Sequence, residues 1–283
     1  MLSRTQKENF KRLVPKVVIS FYHLCRLILK RAYQQAYSFA YRGSGYYCPF
    51  CQYYHQHFLP DGMKAKVIEK YQVIGGGYRP NCLCPKCGSK DRERLLYQFL
   101  QRKTNLFSDT PKRVLHIAPE KNLKKVLQKH LQLNYLNADL AAGAADVQMD
   151  ITQIAYPDNY FDVILCNHVL EHIPNDQKAM QELYRVLKPH GWAILQVPFA
   201  EKLAKTYEDF SITDPAERET HFGQFDHVRI YGQDYPQKLQ NAGFNVSTYN
   251  AIDALGQDVV NKQLLIAEEK IFLGKKEWVI NDW

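Results

Sequence analysis

The chain has 283 residues, of which 46% are hydrophobic and 13% aromatic. This composition excludes a largely disordered protein, and the length allows one large domain with a smaller one beside it. The net charge of +8 is unevenly distributed, because residues 1–45 hold nine Lys or Arg and a single acid, Glu8. The basic excess therefore belongs to the N-terminal segment and not to the body of the protein.

The first segment, residues 1–44, is predicted to be a basic amphipathic helix, because apolar side chains recur over 5–42 at steps of three or four. Residues 5–42 could contact an anionic membrane surface peripherally; the alternative is a helix packed on the main domain with its charges in water. The apolar stretch Val17–Leu29 contains His23 and Arg26 and is too short to span a bilayer. We expect a cytoplasmic protein, associated at most with the inner face of the membrane.

Four of the seven cysteines form two Cys-Pro-x-Cys pairs, Cys48 with Cys51 and Cys84 with Cys87. Two such turns can close a tetrahedral site, so residues 45–90 are predicted to be a zinc ribbon with a structural zinc. Cys82 is an alternate third ligand in place of Cys84. This use of cysteine is typical of a reducing compartment. Nucleic-acid binding by the ribbon is the less favoured alternative, because the segment is not notably basic.

From residue 91 to 283 the pattern alternates between strands and helices, which indicates a doubly wound α/β domain. Helices are predicted at 93–101, 123–130, 176–187 and 235–241. Strands are predicted at 114–118, 133–138, 147–151, 161–166, 192–197, 244–249 and 263–267. Residues 199–234 form a long polar insertion, and loops of this length inside a compact domain are usually functional, so a lid is predicted there.

Polar residues lie at the ends of three of the predicted strands, in the pairs Asp139-Leu140, Asp150-Ile151 and Asn167-His168. In an open parallel sheet the carboxyl edge is where ligands bind. An acid after one strand can hold the hydroxyls of a ribose, and an acid after the next can meet an adenine amino group. The alternative for each Asp is a turn-forming residue after a strand.

These segments, with Glu182–Trp192 and Ala242-Gly243-Phe244, resemble the class I methyltransferases that use S-adenosylmethionine, in particular the type 11 group. The resemblance implies a Rossmann-like, mostly parallel sheet with an antiparallel last strand, here preceded by the zinc ribbon and the basic helix. It implies that Asp139 holds the ribose, that Asp150 meets the adenine, and that Leu140 and Ile151 lie beside them. Asn167 and His168 would line the pocket near the methionine part.

The first strand departs from the family pattern, which has an acid followed by a glycine-rich turn. This chain reads His116-Ile117-Ala118-Pro119-Glu120. Ala118 is small enough for close approach to the cofactor, and Glu120 can take over recognition of the methionine ammonium. His116 either replaces the usual acid or is a buried histidine at the end of the strand.

Histidines occur in two further segments. His168-x-x-Glu171-His172 matches a zinc peptidase pattern, but it follows a buried strand and ends at Pro174, so at most one helical turn is expected and a peptidase is disfavoured. A divalent metal held by these three residues near a substrate hydroxyl is a second alternative, and packing in the pocket wall is favoured over it. In the lid, His221 is the favoured general base, with Asp226 or His227 as orienting partners.

The sequence therefore predicts a methyltransferase that moves a methyl group from S-adenosylmethionine to an oxygen or nitrogen of a small or lipid-linked acceptor. The reaction would be an in-line displacement in which the protein aligns the acceptor and removes its proton. The alternatives are a nucleic-acid methyltransferase guided by the ribbon, and a methyltransferase fold that binds a ligand or partner without catalysis.

Overall fold

The structure is a computed structural model and describes residues 36–277. Most of the predicted basic helix over 5–42, and the membrane contact predicted from it, lie outside the described residues. Residues 36–40 are helical, and strand β1 begins at Arg42. Within residues 36–277, none of the helices is long and apolar enough to cross a membrane.

The cysteine module consists of short strands and one helix around the two cysteine pairs. Its elements are β1 (Arg42–Cys48), β2 (Tyr53–His55), β3 (Leu59–Asp61), α1 (Lys66–Tyr71), β4 (Val73–Ile74) and β5 (Arg79–Leu83). β1 pairs with β2 and β3 pairs with β5, both antiparallel. These two antiparallel pairs bring the ends of the module together, so that Cys48 and Cys84 are buried side by side with Phe58 in a small cluster.

Seven strands form the main sheet. They are β6 (Lys112–Ile117), β7 (Leu133–Asp139), β8 (Val147–Gln148), β9 (Phe161–Cys166), β10 (Leu187–Ile194), β14 (Asn245–Asn250) and β15 (Lys270–Lys275). Their order is β14-β15-β10-β9-β6-β7-β8. The strands from β10 to β8 pair in parallel, and β15 runs antiparallel to both of its neighbours. This confirms the predicted Rossmann-like sheet with an antiparallel last strand.

Helices cover both faces of this sheet. They are α2 (Asp91–Lys103), α3 (Lys121–Leu127), α4 (Asp176–Val186), α6 (Tyr235–Asn241), α7 (Ala251–Leu255) and α8 (Gln257–Gln263). The remaining helix, α5 (Pro215–Phe222), lies in the insertion at 199–234, for which we keep the name lid. The central strands are buried on both sides, since Leu115 and Ile164 lie in one apolar cluster and Val114 and Val163 in the other. Burial of alternate residues on two faces explains why these strands read as continuous apolar runs.

Three strand predictions differ from the structure by three residues or more. The strand predicted at 147–151 is limited to Val147–Gln148. The last strand was expected at 263–267, but α8 ends there and the strand lies at Lys270–Lys275. Leu265, an apolar residue within the predicted range, is buried against the helices instead. The fifth strand begins at Leu187, before its predicted start, and its pairing is interrupted between Leu187 and Trp192.

The insertion at 199–234 contains β11 (Phe199–Ala200), β12 (Tyr207–Glu208), α5 and β13 (Arg229–Ile230). β12 pairs with β13, while β11 pairs with β4 of the cysteine module. Insertion and module also share an apolar core, to which the module contributes Val67 and Val73 and the insertion contributes Ala200, Ile212, Phe222 and Ile230. The two segments therefore pack as one body over the end of the sheet.

Candidate functional site

A cavity of about 590 Å³ lies at the carboxyl edge of the sheet. This volume is in the range of small-molecule sites. Six of the eight predicted cofactor residues line it: Ala118, Asp139, Leu140, Asp150, Ile151 and His168. The parallel pairing of β6, β7 and β9 brings their ends to this edge, and residues from the lid and from the turn after β9 complete the wall.

Both interpretations of Asp139 and Asp150, as turn-forming residues and as residues of a binding site, agree with their positions. One carboxylate oxygen of Asp139 accepts a hydrogen bond from the amide of Ala141 at 2.8 Å. One oxygen of Asp150 accepts from both the amide and the hydroxyl of Thr152, each at 2.8 Å. Both acids thus hold local turns and line the cavity at the same time. A carboxylate fixed by its own turn is pre-positioned to accept a hydrogen bond from a ligand.

The glycine-free first turn adopts a conformation in which glycine is usual. Ala118 has a φ of 45°, in the left-handed region that L-residues other than Gly, Asn and Asp rarely visit. Its amide donates to the carbonyl of Ala138 at 2.8 Å, which ties the turn to β7. The chain therefore makes the sharp turn without glycine, and Ala118 lines the cavity.

The remaining predicted cofactor residues, Glu120 and Asn167, form a hydrogen-bonded group beside the cavity. The Asn167 side-chain amide donates to one oxygen of Glu120 at 3.2 Å, and the other oxygen lies 2.7 Å from Nε2 of His116. The other ring nitrogen of His116 lies 2.9 Å from the Tyr135 hydroxyl. Burial alone would raise the pKa of Glu120, but the contact with His116 lowers it below its ordinary value. Glu120 is therefore held as a carboxylate, and His116 supports this acid.

The turn after β9 contains the histidine pattern. Only Leu170–His172 is helical, as a single 3-10 turn, which agrees with the prediction of at most one helical turn. Burial lowers the pKa of His168 well below its ordinary value and raises the pKa of Glu171 to about 8. Nδ1 of His168 lies 3.6 Å from Glu171. Since both groups are then neutral near pH 7, this approach is not an ion pair.

Of the three predicted catalytic residues of the lid, two lie beside His172 and the third lies on the surface. Asp226 lines the cavity, and one of its carboxylate oxygens lies 3.4 Å from Nδ1 of His172. His227 is buried against His172, with ring centroids 4.7 Å apart. His221 is exposed on α5 and its Nδ1 lies 2.7 Å from the Tyr207 hydroxyl. The lid thus brings Asp226 to the cavity wall and packs His227 behind it against His172, while His221 lies apart from the cavity.

Arg229 is a structural link that the sequence analysis missed. Its side chain is 1% exposed and donates to the carbonyls of Leu170 and Pro174 at 3.0 and 2.9 Å, and to the Glu208 carboxylate at 2.8 Å. It therefore fastens the lid to the turn that carries Glu171. A buried arginine is unusual, but nothing in the local pattern distinguishes Arg229 from a surface arginine.

The glycine run of the cysteine module also reaches the site. Gly75 has a φ of +80°, and a Cβ atom there would lie 2.9 Å from Oε1 of Glu269 and 3.3 Å from Cε1 of His168. Its carbonyl accepts a hydrogen bond from Arg92 at 2.8 Å. Burial raises the pKa of Glu269 to about 7. The run Gly75-Gly76-Gly77 thus brings the cysteine module against the buried Glu269 and against His168, which lines the cavity.

The four paired cysteines come together at the end of the module. Their sulfur atoms lie 3.5 Å apart for Cys48 and Cys87 and 3.7 Å apart for Cys51 and Cys84. Four thiolates bound to a tetrahedral zinc at about 2.3 Å stand about 3.8 Å apart, so the donor set fits zinc. Cys82 lies outside this cluster and accepts a hydrogen bond from Arg79 at 3.2 Å.

Comparison with known proteins gives one family match and several distant relatives. The family described as a methyltransferase domain matches residues 101–195. The ubiquinone/menaquinone biosynthesis C-methyltransferase UbiE of Vibrio cholerae is 27% identical over 116 residues, which cover 36% of this chain and 45% of that protein. A demethylmenaquinone methyltransferase of Lactobacillus johnsonii is 28% identical over 132 residues, which cover 46% and 48%. The crystal structure of the cyclase SpnF has a TM-score of 0.49 at 16% identity and covers 77% of this chain and 100% of that one.

The family match over residues 101–195 and the sheet order agree with the predicted class I methyltransferase fold. The matched residues run from the end of α2 through β10 and contain Ala118, Asp139, Asp150 and Asn167. The chain spans about half the length of the curated relatives it matches. The cysteine module and the lid lie outside the matched residues.

Proposed function

We propose that this chain is an S-adenosylmethionine-dependent methyltransferase that acts on an oxygen or nitrogen of a small or lipid-linked acceptor. The observation that carries the proposal is the cavity at the carboxyl edge, where Asp139 and Asp150 line a space of about 590 Å³. Asp139 would accept hydrogen bonds from the ribose hydroxyls and Asp150 from the adenine amino group. Leu140 and Ile151 give the apolar surface that a purine needs.

The methionine part of the cofactor would lie toward the first turn. Glu120 is a carboxylate that His116 and Asn167 hold in place, and it would pair with the cofactor's ammonium group. Ala118 leaves room for the backbone to approach. His168 lines the same cavity and is neutral at pH 7, so it adds no positive charge next to the sulfonium.

Proton removal from the acceptor would occur at the lid side of the cavity. When bound, S-adenosylmethionine supplies an activated methyl group, so the protein has to align the acceptor and take up its proton. Asp226 lines the cavity and is supported by His172, with His227 next to that ring. We therefore favour Asp226 as the proton acceptor and His172 and His227 as its neighbours, and we assign His221 to the outer surface of the lid.

The cysteine cluster is proposed to bind one structural zinc. The sulfur distances support a closed four-thiolate site, which leaves no open position for chemistry. Because the module shares an apolar core with the lid, zinc would hold the acceptor side of the cavity in shape. This role favours a small-molecule enzyme over a nucleic-acid methyltransferase guided by the ribbon.

Calorimetry with S-adenosylmethionine tests the cofactor assignment. We expect Asp139→Asn to weaken binding by about 10- to 150-fold, since a hydrogen bond to a charged group contributes about 1.5–3 kcal/mol. The matched control is Asp109→Asn, an exposed acid on the loop before β6, which should bind normally. Absence of binding by the intact chain would refute the enzyme assignment.

The acceptor atom requires a different measurement. Cell extract is incubated with the protein and S-adenosylmethionine labelled with ¹³C in the methyl group, and the ¹³C chemical shift of the product distinguishes methyl groups on oxygen, nitrogen and carbon. The names of the two relatives point to quinone precursors as a candidate class, and for UbiE to a carbon atom. A product methylated on carbon would contradict our choice of oxygen or nitrogen. Binding without any product would favour the non-catalytic alternative.

A further inference from the structure

Glu171, His172 and His227 form a polar cluster where the lid meets the turn after β9. Glu171 and His172 belong to the 3-10 turn, and His227 comes from the lid, just before β13. The amide of Val228 donates to the Glu171 carbonyl at 3.0 Å, which fixes the two segments to each other. The cluster is distinct from the four cysteines and adjoins the cavity, of which His172 is a lining residue.

The ligand atoms of this cluster have the spacing of a metal site. One nitrogen of each histidine and one carboxylate oxygen of Glu171 lie within 4.8 Å of one another. A tetrahedral cation with bonds of about 2.0–2.2 Å holds its ligands about 3.3–3.6 Å apart. Side-chain movements of about 1 Å would therefore close the set around an ion.

Glu171 gives an independent reason to expect a ligand. Its side chain is 2% exposed, and its Oε2 atom has no hydrogen-bond partner among residues 36–277. A buried carboxyl oxygen without a hydrogen-bond partner is costly even when the group is protonated, and a cation that displaces the proton would satisfy it. Neither His172 nor His227 is hydrogen bonded to this oxygen, although one nitrogen of each ring lies within 4.8 Å of a Glu171 carboxylate oxygen.

His172 is held as metal ligands usually are. Its Nδ1 lies 3.3 Å from the backbone carbonyl of Asp226 and 3.4 Å from its carboxylate. The His227 ring is buried against the His172 ring, with centroids 4.7 Å apart. In metal sites one ring nitrogen binds the ion while the other donates to a carbonyl or carboxylate, which fixes the ring.

We propose that Glu171, His172 and His227 bind a divalent first-row transition cation that fastens the lid to the edge of the sheet. Two imidazoles and one carboxylate suit zinc, iron or cobalt rather than magnesium or calcium. The ion would lie beside the acceptor side of the cavity with coordination positions left open, so an acceptor oxygen can reach it. Metal binding itself does not depend on the proposed methyl transfer.

Titration of the full chain with Co²⁺ tests the site, after the cysteines have been loaded with zinc. Calorimetry should find one further ion per chain, and its visible spectrum should lack the intense charge-transfer band of a thiolate ligand. Glu171→Gln and His227→Gln should each weaken binding by more than the 10- to 100-fold that loss of an outer-shell partner typically costs. His221→Gln, a lid histidine outside the cluster, should bind Co²⁺ normally.

A second measurement tests whether the ion fastens the lid. Trypsin cleavage after the exposed Lys202 and Lys205 should slow when Co²⁺ is added to the native chain, and the His227→Gln variant should lose this protection. No second ion, or a second ion that the two cluster variants bind as tightly as the native chain, would overturn the proposal. Because neither readout uses S-adenosylmethionine or activity, its failure is distinguishable from failure of the methyltransferase assignment.

Discussion

Ala118 stands where the chain leaves the first strand and turns past the cofactor cavity. Its φ of 45° places a β-carbon in the left-handed region, at a cost of about 1–2 kcal/mol. Glycine would avoid that cost but loses more conformational entropy on folding, about 0.5–1 kcal/mol relative to alanine. The entropy effect offsets about half of the strain, so the alanine is tolerated at a small net cost and the turn keeps its shape.

From this difference we expect Ala118→Gly to raise the free energy of unfolding by about 0.5–1 kcal/mol. Urea unfolding measures the change. The same substitution in the middle of a buried helix, Ala179→Gly, should lower the free energy of unfolding by about 1 kcal/mol. If Ala118→Gly were destabilising to the same extent as Ala179→Gly, the left-handed turn would be absent in solution.

Glu269 is predicted to make stability depend on pH. Burial raises its pKa from an ordinary value of 4.5 to about 7, so between these values the folded chain holds a proton that the unfolded chain has lost. The free energy of unfolding therefore falls as pH rises through this window, by up to about 3 kcal/mol. Glu269→Gln should remove this part of the fall between pH 4.5 and 7 in urea titrations. Glu268→Gln, its exposed neighbour, should show the native pH dependence.

Among the elements, those defined by local pattern could be predicted and those defined by distant contacts could not. The strand at Phe161–Cys166 and the helix at Tyr235–Asn241 have the predicted bounds, because a mostly apolar run and a Gly after the last turn are local signals. The last strand was predicted too early in the chain, because Leu265 is buried in the apolar core without belonging to a strand.

The candidate site follows the same rule. Residues at strand ends could be predicted because a parallel sheet brings those ends to one edge. Arg229 and Gly75 could not, because their roles arise from carbonyls and carboxylates far away in the chain. His221 and His227 are equally plausible in the sequence. Only the packing of the lid determines that His227 is buried against His172 while His221 is exposed.

The glycine run of the module provides a test at the scale of an element. Gly75→Ala would place a methyl group 2.9 Å from Glu269 in left-handed backbone, so we expect a loss of about 2–3 kcal/mol from strain and overlap together. Gly76→Ala is the matched control, because its Cβ would meet no atom closer than 3.7 Å. Thermal or urea unfolding compares the two variants. Equal stability of both would contradict the close contact between module and cavity wall.

For the whole molecule, the cysteine module and the lid depend on each other. β4 pairs with β11, and Ile68 of α1 lies against Gly223 at the end of α5, where a Cβ would come within 2.5 Å. The lid in turn is held to the sheet edge by Arg229. A change in the structure of the cysteine cluster should therefore alter the cavity through these packed side chains.

Removal of zinc should consequently loosen the lid as well as the module. We expect the native chain to contain one tightly bound zinc per chain and Cys84→Ser to lose it, since a structural zinc contributes about 10–16 kcal/mol of binding free energy to folding. Trypsin cleavage after Lys202 and Lys205 should then accelerate, as measured by mass spectrometry of the fragments. Cys82→Ser is the control, because Cys82 lies outside the sulfur cluster, and it should retain both zinc and lid protection. A Cys84→Ser chain that lost zinc but kept a protected lid would show that the module and the lid are independent.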